Sequence, residues 1–451
     1  MVLIAGILHI TNKIYGKKGK QSYYKCYPDK NFSNIVNEPF LVPYENKITF
    51  SKNLVSKYVI INYSMSPIIA ETLGNVDDMP AFCYYLLHCN NLIHSFKNFN
   101  EVLRLAPLVL SLPLAPPQIP CVYSVDPLGC KDIDDAFSIT ETTLRVYISN
   151  VPEILKKCGV ESLLTKRTST VYFPTFNYSM LPSILSEGRC SLVANTPRES
   201  LCMSVSLASD SKSVSFSRDV VCVTENLHYE SEHHIVLQLI DTTKTLNNKI
   251  KLMEVINDSH DAIQYLMLLF NTECAKVLSS NPNTIYRILV SNKFISDKFI
   301  NEEFFRGEYT RSKIIHSQIK HLYVHASSPI RRLVDLYNCC LLNNYLMDQG
   351  GEFESEFIID LDLINENEKK IKKISNKAFL LYLFMNDPDK VYEGTVIGKE
   401  KDKLEIFIAE LKKVFSVKIE SDLDLLATIK CRVYVFKDEF NFYKKIRLCV
   451  L

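Results

Sequence analysis

The chain has 451 residues, 52 lysines and arginines against 51 aspartates and glutamates, and 47% hydrophobic residues. That length exceeds what one hydrophobic core organises, so two or three domains are expected, and a net charge of +1 excludes a protein that coats nucleic acid through bulk field alone. Fourteen cysteines lie scattered without a C-x-x-C pair, which argues against a disulfide scaffold and for reduced thiols in an intracellular protein.

The opening VLIAGIL is too short to span a membrane and follows no basic region, so it reads as a strand and no membrane association is expected. Residues 1–95 alternate short apolar runs (VLIAGILHI, QSYYKCY, EPFLVPY, KYVIINYSM) with Gly and Pro turns, the spacing of a small antiparallel barrel. Residues 1–60 hold nine lysines against three acids, a local excess of +6. Lys17, Lys18 and Lys20 sit in a glycine loop just before Tyr23, Tyr24 and Tyr27. Cations that follow phosphates beside aromatics that stack bases are how OB-type barrels hold single strands; half-buried strand tyrosines beside a solvated hairpin fit the same pattern. Residues 96–120 carry Arg104 and five prolines, at 107, 113, 116, 117 and 120, and read as an extended linker.

The run Ser124–Ala136, SVDPLGCKDIDDA, places Asp126, Asp132, Asp134 and Asp135 within ten residues. Carboxylates this close repel one another unless a cation neutralises them. Magnesium, with manganese as a substitute, takes oxygen ligands and keeps positions for water and substrate phosphate. Apolar Val122–Val125 predict a strand ending in a turn at Asp126–Gly129, with a second strand resuming at Ala136. A solvated acidic turn is the alternative; the spacing does not fit an EF-hand loop. Residues 121–380 otherwise mix strands with long helices. The pattern predicts one helix over 258–280, capped by Asp258 or Ser259, and another starting at Ser328 with Pro329 in its first turn. Ile330, Leu333, Val334 and Tyr337 would face the core and leave Arg331 off the apolar stripe. There a guanidinium and a helix N-terminus would form an anion site, unless Arg331 pairs with Asp335 one turn later. From about residue 386 to 451, four alternating segments predict a second small barrel. Its aromatics Tyr392, Phe407 and Phe415 suit either RNA contact or core packing.

Three blocks, in order, make the chain resemble the ribonuclease II family, which includes ribonuclease R and the exosome catalytic subunit. They are the aspartate loop ending D-I-D-D-A, residues 167–192 (RTSTVYFPTFNYSMLPSILSEGRCSL) and residues 323–335 (YVHASSPIRRLVD). The resemblance implies an α+β multidomain protein with a central mixed α/β RNB-type catalytic domain flanked by OB-fold barrels. It implies a magnesium-dependent, processive 3′ to 5′ exoribonuclease that hydrolyses single-stranded RNA to 5′-mononucleotides by a two-metal mechanism. Asp126, Asp132, Asp134 and Asp135 would hold the metals and Arg331 would face the scissile phosphate, while Tyr172 and Tyr229 would contact RNA, unless they pack as core, and Arg332 would support the RNA backbone or the fold. A monomer in the cytoplasm is expected, with RNA-decay proteins as partners.

Departures accompany the resemblance. Gln264 and Tyr265 stand where the family has paired glutamates, Tyr147 and Asn150 replace a His and an Asp, Leu333 replaces an aromatic, and Cys130 replaces a Ser. They keep a second reading open, a weakened or non-catalytic RNA-binding member, and a third, a scaffold of an RNA-decay assembly.

Overall fold

The computed structural model describes residues 2–10, 13–45, 54–105, 121–160, 164, 167–208, 213–297, 300–347, 359–400, 403–419, 423–437, 439 and 441–451. The fold is mixed α+β and falls into two compact units, one of residues 1–93, 172–177 and 369–451, the other of residues 94–171 and 178–368.

The first unit opens with β1 (Val2–His9), β2 (Lys17–Lys18), β3 (Gln21–Pro28), β4 (Phe40–Tyr44), β5 (Lys57–Tyr63) and β6 (Ile68–Asn75). They form one antiparallel sheet in the order β2-β3-β1-β5-β6, with β4 on β3. Gly6 of β1 lies against β3 so closely that a Cβ there would stand 2.8 Å from Cys26 Sγ, a site that only glycine fills without displacement. The sequence pattern gave no sign of β6 or of α1 (Met79–Cys89), which starts where the Asp78 carboxylate accepts from Ala81 N at 3.1 Å. Tyr85 of α1 stacks on Tyr58 of β5 with centroids 4.5 Å apart.

The second unit begins with α2 (Lys97–Leu105), a helix within the stretch expected to be an extended linker; residues 106–120 lie outside the described residues. Phe99 and Leu103, one turn apart, are buried in the core, and the prolines begin only after them. Then come β7 (Tyr123–Asp126), β8 (Asp135–Ile139), β9 (Thr143–Ser149), α3 (Val151–Cys158), the two-residue strands β10 (Val171–Tyr172) and β11 (Asn177–Tyr178), β12 (Pro197–Ser206), β13 (Val214–Cys222) and β14 (Glu225–His228). The main sheet runs β13-β12-β9-β8-β7-β14, with β14 parallel to β7 and every other pair antiparallel. Helices α4 (His234–Lys249) and α5 (Ser259–Val277), the long hairpin β15 (Tyr286–Asp297) and β16 (Ile300–Thr310), and helix α6 (Leu333–Met347) follow. Helix α5 matches the expected helix, with Asp258 as its cap.

Helix α6 starts at Leu333, five residues later than the pattern predicted. Leu333 N donates to Thr168 O, Thr170 N donates to Arg331 O, and Ser169 bridges Arg332. Residues 331–333 thus hydrogen-bond to an extended neighbour, and helical geometry cannot begin before that pairing ends. Ile330, Leu333, Val334 and Tyr337 are nevertheless all buried.

After α7 (Leu361–Asn386), the strands β17 (Val391–Glu400), β18 (Lys403–Ile408), β19 (Lys413–Lys418), β20 (Thr428–Val435) and β21 (Ile446–Val450) form an antiparallel sheet in the order β19-β18-β17-β20-β21. A short helix, α8 (Phe442–Lys445), precedes β21. Tyr392, Ile406 and Cys431 of this sheet pack with Leu380 and Phe384 in one core, so Tyr392 packs internally, and Phe415 lies partly buried against it. The two ends of the chain meet inside the first unit: Phe82 stacks on Phe442 at 5.9 Å, and buried Lys445 donates from Nζ to Val76 O at 2.6 Å. Among the described residues, no helix is long and apolar enough to cross a membrane.

Candidate active site

The aspartate run forms the expected turn between two strands. Asp126 ends β7, Asp135 begins β8, and Asp132 and Asp134 lie in the connection. Ile133 between them is buried in a small core with Val122, Ala136 and Tyr147, and Ser191 Oγ accepts from Ile133 N at 3.0 Å and donates to Lys131 O at 2.7 Å. The loop is therefore anchored at its middle.

The four carboxylates take different partners. Asp134, 3% exposed, accepts from Ile330 N at 2.8 Å and from Arg331 Nε at 3.1 Å. Asp132 accepts from the Cys130 thiol at 3.7 Å. Asp126 has a buried Oδ2 with no hydrogen-bond partner. Burial pushes the Asp126 carboxyl up to about 6 against the opposing pull of Ser124 and Arg331. Asp135 is raised well above the usual carboxylate range, by burial first and then by the charges of Asp126 and Asp134. Asp134 is itself raised to about 7 by burial, which the Arg331 charge and the Ile330 N–H only partly offset. Among the described residues no group of three or more His, Cys, Asp or Glu side chains is placed to hold a metal, so the four aspartates do not converge on one point. The residues still fit a magnesium ion, which needs only one or two carboxylates beside waters and substrate phosphate. An orphaned buried carboxylate oxygen next to a second buried carboxylate is a donor set that a hard dication would satisfy.

Arg331 reaches this loop from a separate segment. Its Nη2 donates to Ser328 Oγ at 2.9 Å, Nε holds Asp134, and the side chain remains 41% exposed. The partner weighed for it from sequence, Asp335, belongs instead to Arg332, whose Nη2 donates to Asp335 Oδ1 at 2.9 Å and whose Nη1 lies 3.2 Å from His325 Nδ1. Arg332 thus braces the fold, one of the two roles expected of it. Asp335, fully buried, also accepts from Ser327 N at 3.0 Å and Ser328 N at 2.8 Å.

The rest of that segment is held by side chains the sequence analysis did not single out. Asn271 accepts from Ala326 N at 2.8 Å and donates to Ser327 Oγ at 3.0 Å, Asn338 donates to His325 O at 2.9 Å, and the Cys339 thiol donates to Ala326 O at 2.9 Å. Residues 325–328 are clamped between α5 and α6, a preorganised seat for the one exposed guanidinium that follows. Buried Asn in mid-helix is the available signal, because a buried amide must find partners.

Tyr229 directly follows β14, whose His228 is in register with Asp126 on β7. Burial, then the charges of Asp135 and Asp126, raise its hydroxyl to about 12, which places it beside the carboxylates. Its ring stacks on His260 at 3.5 Å and 15°, and Ser259 Oγ donates to its carbonyl at 2.7 Å. The first turn of α5 therefore grips Tyr229 by both ring and backbone. Tyr172 is 43% exposed in the excursion 172–177 of the first unit. Lys17, Lys18 and Lys20 are exposed on the β2–β3 hairpin, while Tyr24 is buried.

Of the departures, Tyr147, Asn150, Tyr265 and Leu333 pack as core. Tyr265 is fully buried and donates to Ile250 O at 3.3 Å, and Gln264 is exposed. Tyr147 is fully buried against Ser138 at 3.2 Å, and Asn150, buried, donates to Asn343 at 2.9 Å.

Residues 119–257, which contain the acidic strand-end loop and the six-stranded sheet that carries it, match the family model described as RNB domain. The chain is similar to ribonuclease R. It is 29% identical to ribonuclease R of Helicobacter pylori (strain J99) over 230 residues, which cover 47% of this chain and 35% of that protein. The match thus spans about a third of that relative's length. The fold is that of Mycoplasma genitalium RNase R solved with ribose-methylated single-stranded RNA, at TM-score 0.74 and 17% identity over 100% of this chain and 90% of that one. It is shared with yeast Ssd1, described as a pseudonuclease, at TM-score 0.61 and 13% identity over 92% of this chain and 65% of that one.

Proposed function

We propose that this protein is a divalent-metal-dependent 3′ to 5′ exoribonuclease that shortens single-stranded RNA processively to 5′-mononucleotides. The observation that carries the reading is the unpartnered buried Oδ2 of Asp126 beside Asp135, in the same site as an exposed guanidinium that Asp134 holds by its Nε. Asp126 and Asp135 would hold the first magnesium or manganese ion, and Asp132 with a substrate phosphate would hold a second. Bound there, the metal supplies a nucleophilic water and neutralises charge on the phosphate.

The chain's own residues do the rest. Asp134 orients the Arg331 guanidinium by one N–H, and the exposed part of the guanidinium would meet a phosphate oxygen as negative charge builds on it. The clamp on residues 325–328 fixes that geometry before substrate arrives. Tyr229, backed by His260, offers a ring face to the terminal base. Lys17, Lys18 and Lys20, with Tyr172, would guide the strand toward the site. Proteins of RNA decay are the proposed partners.

A second reading, an RNA-binding protein without turnover, is favoured by one observation: Tyr265, where the family has a glutamate, is buried in the core and cannot reach a ligand. A 5′-labelled single-stranded RNA incubated with Mg²⁺ or Mn²⁺ decides between them. Stepwise shortening from the 3′ end supports the enzyme; retention of intact RNA supports the binder.

A further inference from the structure

Helix α7 carries a continuous solvent-facing ridge. Lys369, Lys372, Asn376, Phe379, Tyr382 and Asn386 follow one another at spacings of three or four residues, and all six are exposed. That spacing places them along one face of the helix. The opposite side, Ile374, Ala378, Leu381 and Phe384, is buried, so the ridge is the face that packing leaves over. Its composition is unusual for a leftover face. Phe379 is 57% and Tyr382 37% exposed, and residues 369–386 contain five lysines and no acid in a chain whose charges otherwise nearly cancel.

Lys377 faces the packed side of α7 and not the ridge. Lys377 lies over the Phe442 ring at 5.4 Å and Lys413 over the Phe415 ring at 5.5 Å. Lys413 is pushed below the usual lysine range by burial and then by the charge of Lys377.

From this juxtaposition we infer that the α7 ridge is a second docking track for single-stranded RNA, outside the catalytic site. Its lysines take phosphates and Phe379 and Tyr382 take base faces, without sequence readout. At a rise of about 1.5 Å per residue the ridge is about 25 Å long, room for a few nucleotides. Lysine before aromatic along one ridge favours a polyanion with stacking groups over a protein partner, which would need apolar area where the lysines stand. The inference rests on the reading that this chain handles single-stranded RNA, and it adds a site that acts only on substrates long enough to reach it.

The test compares the full chain with Lys369→Ala/Lys372→Ala and with Phe379→Ala/Tyr382→Ala. Binding of a 30-nucleotide and an 8-nucleotide poly(A) is followed by fluorescence anisotropy in EDTA across a salt series. The expected result is at least tenfold weaker binding of the long RNA in both variants. For the lysine variant the salt slope should fall by about 1.4, at about 0.7 per lost phosphate contact on a single strand. Binding of the short RNA, and its shortening in Mg²⁺, should not change. Unchanged long-RNA affinity and slope in both variants would overturn the track while leaving the nuclease reading intact. A wild-type chain that binds neither RNA would overturn both. If the aromatic variant changes only the sedimentation of RNA-free protein, from dimer to monomer, the ridge is a protein interface and the RNA track is wrong.

Discussion

Arg331 and Asp134, 197 residues apart in sequence, are joined by a 3.1 Å bond from Nε to Oδ2, and the neighbouring Ile330 N–H fills the other carboxylate oxygen. Both oxygens of Asp134 thus serve the arginine turn. If that is its task, Asp134→Asn keeps one acceptor, loses the other and releases the guanidinium. The expected outcome is a fall in single-turnover cleavage of about a hundredfold or more, with Mn²⁺ affinity measured by calorimetry changed less than about threefold. Loss of Mn²⁺ binding in this variant would make Asp134 a metal ligand instead.

Arg331→Lys keeps a positive charge but not the planar fork that can hold a carboxylate with one edge and a phosphate with another. We expect turnover to drop about as far as in Arg331→Ala, with little change in RNA affinity measured in EDTA, because the contact matters in the transition state. Near-wild-type turnover in the lysine variant would reduce the arginine to a simple counter-charge.

Asp335 accepts from two backbone N–H groups and from Arg332, all buried or partly buried. Removing it alone leaves an uncompensated guanidinium and should cost about 3–5 kcal/mol in chemical denaturation, whereas replacing both ends of the pair by apolar residues is often neutral. Asp335→Leu should therefore unfold early, and Asp335→Leu/Arg332→Met should recover stability without recovering turnover. The seat of residues 325–328 would still lack its acceptor.

Protonation should compete with metal. The Asp126 carboxyl is raised by burial to about 6, and burial also raises Asp135 well above the usual carboxylate range. A raised folded-state value favours the neutral form, so in metal-free protein these groups contribute stability at low pH that is lost as pH rises through about 6. A dication requires the ionised form. Melting curves with and without Mn²⁺ should therefore nearly coincide at pH 5 and separate progressively from pH 6 to 8. A constant metal effect across that range would show that these carboxylates are not the ligands.

His260→Ala removes the ring behind Tyr229, and the final products from a 5′-labelled oligonucleotide should lengthen by one or more nucleotides. His260→Phe, which restores a stacking surface, should restore the wild-type ladder. Identical end products in all three proteins would remove His260 from the positioning of Tyr229.

The aspartate loop was legible because its chemistry is local: clustered acids, a turn and flanking apolar strands are all visible within a dozen residues. Which acid does what was not, since Asp126 and Asp134 differ only in what approaches them from residues 330–331. The start of α6 was misjudged for a related reason. Pro329 is a sound local helix signal, but pairing with residues 168–170 outweighs it. Asn271 and Asn338 were illegible as clamps because their partners lie up to 56 residues away. Helix α2 could have been seen, as Phe99 and Leu103 keep helical spacing, had the prolines beyond residue 106 not coloured the whole stretch.

The stacking of Phe82 on Phe442 and the bond from Lys445 to Val76 carry a consequence for biosynthesis. The amino-terminal sheet leaves the ribosome first, yet the surface it packs against is translated only after residues 94–368. Until then Phe82 and the Val76 carbonyl are open to solvent or to chaperones. The sheet of residues 2–75 is therefore made well before its unit can close, and loss of residues 442–445 would be felt at Val76 and Phe82.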